Sequence, residues 1–98
     1  MVSNLALASH VRMDVRRIVG LNVRRHRLEA EISQEELAAR IGVEQYYVSG
    51  LEAGKRNITI VTLWRLAMAL SVEAAELVAR GVHRPQIPSK TRPRGKVR

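Results

Sequence analysis

Between residues 12 and 80 no proline interrupts the chain, and apolar side chains recur at intervals of three and four. That spacing lines one face of an α-helix. Val15, Ile18 or Val19, Val23 and His26 fall near one face of a first helix, with Arg16, Arg17, Arg24 and Arg25 largely elsewhere. Ser33 and Glu36 have capping-box spacing. In such a box the Ser oxygen accepts the amide three residues on, and the Glu reaches back to the Ser amide. A second helix therefore opens at Gln34, turns Leu37, Ala38 and Ile41 inward and stops at Gly42, a residue that tolerates the left-handed conformation of many helix ends. A third fits residues 45–53 with Val48 and Leu51 inward, ending at Gly54. Thr59 can cap a fourth helix carrying Leu63, Leu66, Ala67 and Leu70, and a fifth fits Glu73–Arg80. There is no Asn-Gly turn and no long alternating β-branched run, so no strand is expected. The fold class that follows is all-α, a five-helix bundle.

Charge divides the chain. It has 98 residues, 17 Lys plus Arg against 9 Asp plus Glu, and a net charge of +8. Six of the basic residues (Arg84, Lys90, Arg92, Arg94, Lys96, Arg98) and all three prolines lie in residues 81–98, which hold no acid. That stretch reads as a disordered basic tail, and residues 1–11 as an N-terminal extension of undecided conformation, leaving one domain at 12–80. A basic excess favours polyanions, through release of their counterions, although a solubilising tail has the same composition. The absence of cysteine excludes disulfides, thiol nucleophiles and Cys-based metal sites, and His10, His26 and His83 lack ligand spacing. Neither a nucleophile–base set nor a phosphate loop is present, so no enzyme, cofactor or metal is expected. No apolar run reaches the roughly 18 residues that span a bilayer. The expected location is the cytoplasm, at the nucleoid, with no membrane partner.

Residues 34–53 carry the chemistry. A helix-turn-helix crosses two short helices at about 90–120° over a tight turn. It needs a large and then a small apolar residue in its first helix, Gly and an apolar residue at the turn, and apolar residues on the inner face of the second. Leu37, Ala38, Ile41, Gly42, Val43, Val48 and Leu51 meet each demand. The alternative is an ordinary amphipathic helix pair with a Gly between them, which would share some of these matches; all seven together, with a cap in register, favour the helix-turn-helix.

The stretch NVRRHRLEAEISQEELAARIGVEQYYVSGLEAGKRNITIVTLWRLAMALSV resembles the Cro/repressor-type, or XRE-like, helix-turn-helix family over about residues 18–78. The matching signals are the arginines of helix 1, SQ-E-LA opening helix 2, G-V at the turn, L-E-x-G-K-R-N after the recognition helix, and TL--LA-AL-V. The resemblance implies a compact lambda-repressor-like bundle that binds DNA, mostly as a homodimer on a palindromic operator. It also implies a buried ion pair between Arg27 and Glu52, and dimerisation through helices 4 and 5, for which Ile58, Ile60, Trp64, Val72 and Val78 are the candidate residues. Departures from the family pattern are His26 for Leu, Glu31 for Gly, Ile58 for Pro, Glu44 for the usual Ser or Thr cap, and Gly50 for a polar or basic residue.

In this docking mode the start of the second helix faces base edges. Gln45, Tyr46, Ser49 and Gly50 are therefore the base-reading candidates, and Gln can bond adenine N6 and N7 together. Gln34 opens helix 2, whose free amides favour a phosphate, and Lys55, Arg56 and Asn57 follow in a loop at the same edge. With Tyr47 they form the candidate phosphate set, Tyr47 being alternatively a half-buried ring with its hydroxyl in water. Gly50 fits close backbone approach to DNA or packing against another helix. His26 reads as a core residue or a pH switch, and Trp64 as half-buried. The leading expectation is a dimeric, sequence-specific transcriptional regulator, most simply a repressor, binding double-stranded DNA. The alternative is a protein-interaction module with weak DNA specificity, its partner a toxin or polymerase, in whose favour stand Glu44, Gly50 and the Tyr46–Tyr47 pair.

Overall fold

The computed structural model describes residues 14–80. The N-terminal extension 1–11 and the basic tail 81–98 lie outside the described residues. Five helices follow one another: α1 (Val15–Glu29), α2 (Gln34–Ile41), α3 (Gln45–Glu52), α4 (Ile60–Leu70) and α5 (Ala74–Val78). Among the described residues there is no strand.

Local chemistry sets the starts. Asp14 accepts the Arg16 amide at 2.9 Å, Ser33 Oγ the Glu36 amide at 2.9 Å, and Thr59 Oγ1 the Thr62 amide at 3.0 Å. Only half of the expected box at Ser33 forms, because Glu36 turns its carboxylate to Arg40, whose Nε donates at 3.1 Å. Glu44 stands before α3 without a side-chain bond to it. The fifth helix is shorter than its expected span of 73–80. Asn22 on α1 donates to the carbonyls of Leu77 at 3.0 Å and Ala79 at 2.8 Å, which occupies the acceptors that end α5.

The ends of α1 to α4 share one device. At α2 the Gly42 amide reaches Ala39 O at 3.3 Å and the Val43 amide reaches Ala38 O at 3.0 Å, with Gly42 at φ 77°. This double bond pattern satisfies carbonyls that the helix leaves open. Glu31–Ile32, Gly54–Lys55 and Ser71–Val72 repeat it. Two of these four left-handed positions are not glycine: Glu31 at φ 61° and Ser71 at φ 58°.

The core gathers one stripe from each helix: Val19 and Val23 from α1, Leu37, Ala38 and Ile41 from α2, Val48 and Leu51 from α3, Leu66, Ala67 and Leu70 from α4, and Leu77 from α5. A close approach fixes α1 against the end of α3. A Cβ on Gly20 would lie 2.4 Å from the Leu51 carbonyl oxygen and 2.8 Å from that of Glu52, so only glycine fits. Two apolar expectations fail. Val15 is exposed because it overhangs an open cleft with Ile60 and Val78, with nothing of the described chain covering it. Trp64 is 60 % exposed, because the stripe that α4 buries runs through Leu66, Ala67 and Leu70 on its other side.

His26 is buried between α1 and α5. Its Nδ1 stands 3.6 Å from Glu29 Oε1 and its Nε2 3.9 Å from Glu76 Oε1, and Nε2 has no hydrogen-bond partner. Burial, followed by the charge of Arg25, pushes the imidazole below its ordinary value of about 6.5, against the pull of Glu29 and Glu76. The unfolded chain therefore takes up this proton first as pH falls. Stability should be full above about pH 6.5 and decline as pH drops through that value toward the folded one. Chemical denaturation between pH 5 and 8 checks this, and His26→Leu should flatten the slope. Glu31→Gly should raise stability by about 1 kcal/mol by relieving the left-handed strain. That corresponds to a melting shift of roughly 4–8 °C in a domain of this size.

Candidate nucleic-acid interface

Helix α3 is held from its C-terminal end by a buried ion pair. Arg27 Nε donates to Glu52 Oε2 at 2.6 Å and an Nη donates to Oε1 at 3.0 Å. The other Nη donates to Ile32 O at 2.9 Å, so the guanidinium also braces the link between α1 and α2. Both side chains are more than nine-tenths buried. The hydrogen bond to Glu52 holds the Arg27 guanidinium above its ordinary value, against the burial that would lower it.

Gln34 extends this pair toward the surface. Its Nε2 donates to Glu52 Oε1 at 3.0 Å, and its Oε1 accepts Gln45 Nε2 at 2.7 Å. A continuous chain of bonds thus runs from helix α1 through the end of α3 to the start of α2 and back to the first residue of α3. Gln34 and Gln45, which sequence reasoning gave separate contacts, fix one another. The signal for this was thin: each opens a helix at one side of the Gly42 turn.

The exposed edge holds the remaining candidates. Gln45, Tyr46 and Ser49 are exposed on α3, with Lys55 and Asn57 exposed in the loop after it. Tyr47, Gly50 and Arg56 are half-buried. Arg56 folds back onto α3, its Cζ standing 4.6 Å from the centre of the Tyr47 ring and 5.8 Å from that of Tyr46. The side chain of Arg56 also lies over Gly50. No sequence pattern signalled that stack, since it depends on how the chain turns after Gly54. Asn22, which ties α1 to α5, also went unnoticed as a mid-helix polar residue.

The candidate dimer residues divide. Ile58 and Val72 are partly buried against this chain's own core. Ile60, Trp64 and Val78 are exposed, and Val61 and Met68 join them, though neither was anticipated. Among the described residues no group of three His, Asp or Glu side chains could hold a metal ion, and no helix is long and apolar enough to cross a membrane.

A family model described as helix-turn-helix matches residues 23–77. The chain belongs to the XRE-type helix-turn-helix family. Its members are DNA-binding transcription regulators, and the matched span runs from the middle of α1 to α5. An uncharacterized HTH-type transcriptional regulator, y4dJ of Sinorhizobium fredii, is 52 % identical over 66 residues, covering 67 % of this chain and 86 % of its own. The crystal structure of the restriction-modification controller protein C.AhdI from Aeromonas hydrophila matches with a TM-score of 0.61 at 39 % identity, covering 63 % of this chain and 90 % of its own. The C.Esp1396I controller, solved as a tetramer with its natural 35 base-pair operator, matches with a TM-score of 0.60 at 30 % identity, over 65 % of this chain and 84 % of its own.

Within this family frame the Arg27–Glu52 pair has a testable weight. Glu52→Ala strands the Arg27 charge in the core and should destabilise the domain by about 3–5 kcal/mol. Urea denaturation reads this loss. A stable Glu52→Ala variant with altered base preference would instead move Glu52 from architecture to recognition.

Proposed function

We propose that this chain is a sequence-specific transcription regulator of the controller-protein type, a homodimer that lays α3 into the major groove of a palindromic operator. The observation that carries the reading is the hydrogen-bond chain Arg27–Glu52–Gln34–Gln45, which presents an exposed helix start on a rigid base. Gln45 is the base reader, suited to the N6 and N7 edge of adenine, with a discrimination of about 1–3 kcal/mol. Tyr46 and Ser49 lie beside it. Lys55 and Asn57 are phosphate grips, which fix register without reading sequence. The acid at Glu44 repels phosphate, so the basic loop after α3 carries the electrostatic attraction on this face.

The exposed apolar face of α4 supports the dimer. Ile60, at 82 % exposed, Val61, Trp64 and Met68 stand on it, and Val78 of α5 extends it across a cleft of about 160 Å³. Grouped exposed apolar side chains mark an interaction surface. The controller C.Esp1396I is recorded as a tetramer on its operator, which agrees with assembly on DNA. In a dimer, two α3 helices would meet successive major grooves, with half-sites about 10 base pairs apart. Such a dimer across a promoter excludes polymerase, and repression is the mode we propose.

Selection of bound duplexes from random sequence should yield a palindrome with a fixed adenine in each half-site. Gln45→Ala should abolish the preference at that one position; equal losses at every position would reject base reading by Gln45. Ile60→Glu should yield a monomer by sedimentation and weaken operator binding. Trp64, the only tryptophan, should shift its emission to the blue as the wild-type chain dimerises. An Ile60→Glu variant that stays dimeric would remove the α4 interface from the reading.

A further inference from the structure

Arg56 does not stand free in its loop. The end of α3 turns the chain back on itself: the Lys55 amide donates to Gly50 O at 2.9 Å, and Gly54 takes φ 78°. Residue 56 is thereby brought over the residue whose carbonyl closes that turn. Gly50 lies three positions after Tyr47 and four after Tyr46, the spacings at which helix surface residues are neighbours. Its missing side chain leaves a gap beside both rings, and the arm of Arg56 lies along it. A Cβ at position 50 would stand 3.4 Å from Arg56 Nε and 3.5 Å from its Cγ. One carbon would stand in ordinary van der Waals contact with the arm, and a longer side chain directed the same way would compete for its place. The guanidinium Cζ sits 4.6 Å from the Tyr47 ring centre and 5.8 Å from that of Tyr46, within cation–π range. Among the described residues no carboxylate pairs with Arg56. Glycine weakens a helix interior relative to alanine, so the choice at position 50 runs against the local preference of α3.

We infer that Gly50 is a positioning residue: its missing side chain seats Arg56 on Tyr47 and Tyr46, and Arg56 meets duplex DNA as a fixed part of the recognition surface. This rests on the DNA-reading function proposed above. A guanidinium stacked by its face keeps its N–H edge for acceptors in its own plane. Guanine O6 with N7, or a pair of phosphate oxygens, has that geometry.

The seat is tested first without DNA. In the free protein, ring currents should move the Arg56 methylene proton resonances upfield. Tyr47→Phe should keep that shift, whereas Tyr47→Leu and Gly50→Leu should abolish it in a chain that still melts cooperatively. Unshifted resonances in the wild-type chain would overturn the seat, whatever the chain binds. The second arm is a double-mutant cycle on the duplex that the wild-type chain selects from random sequence. Gly50→Leu and Arg56→Ala should each weaken binding about tenfold. Together they should weaken it no more than Arg56→Ala alone. Additive losses would mean that residue 50 meets DNA directly, and would overturn the positioning role. Loss confined to duplexes with one guanine would assign Arg56 to a base edge. A uniform loss with a shallower salt dependence would assign it to phosphate; either supports a seated arm. A wild-type chain that selects no duplex defeats the functional reading, while the resonance shifts still decide the seat.

Discussion

The buried pair of Arg27 and Glu52 is the interaction on which the rest depends. Helices of eight residues, such as α2 and α3, are marginal in water by themselves. They persist here because α1 holds both. Arg27 bonds the carboxylate at the end of α3 and the Ile32 carbonyl that leads into α2. Burying two charges is expensive unless each is well paired and its remaining donors and acceptors are met. Glu52 accepts from both Arg27 and Gln34, and Arg27 donates to three oxygens. Gly20 makes the arrangement possible, since any side chain there would collide with the carbonyls of Leu51 and Glu52.

This anchor also sets the quality of the exposed surface. Without a partner, Gln45 would be a free side chain at a helix start, with its rotamers open. The bond to Gln34 restricts it, and Gln34 is itself held by Glu52. Preorganisation of this kind lowers the cost of binding without adding a contact. Rigid packing beneath and a polar relay above therefore act in the same direction: they place α3 and orient its first residue.

Against this, the chain accepts several local weaknesses. Glu44 makes no cap bond to α3. Glu31 and Ser71 hold left-handed conformations that glycine would take without strain. His26 leaves a ring nitrogen unpartnered in the contact of α1 with α5. None of these falls within the hydrogen-bonded anchor. They lie at helix junctions and at the edge of the bundle, where costs of about 1–3 kcal/mol each can be offset by core burial.

Periodicity and turn chemistry by themselves determined the all-α class, the helix starts at Gln34 and Ile60, and the stop at Gly42. These depend on neighbours three or four positions away, which the sequence displays directly. The apolar stripes of α2, α3 and α4 were legible for the same reason, whereas Leu77 of α5 was not singled out. Tertiary structure decided the rest. Whether Trp64 or Leu66 faces the core depends on which side of α4 meets α2 and α5, and Val15 lost its cover because no helix of the described chain reaches it. The family resemblance implied the Arg27–Glu52 pair, but the bonds of Gln34 to Glu52 and Gln45, the grip of Asn22 on the end of α5, and the fold of Arg56 over Gly50 join residues whose spacing carries no period. Such contacts arise only when the helices have been brought together, so no local pattern could announce them.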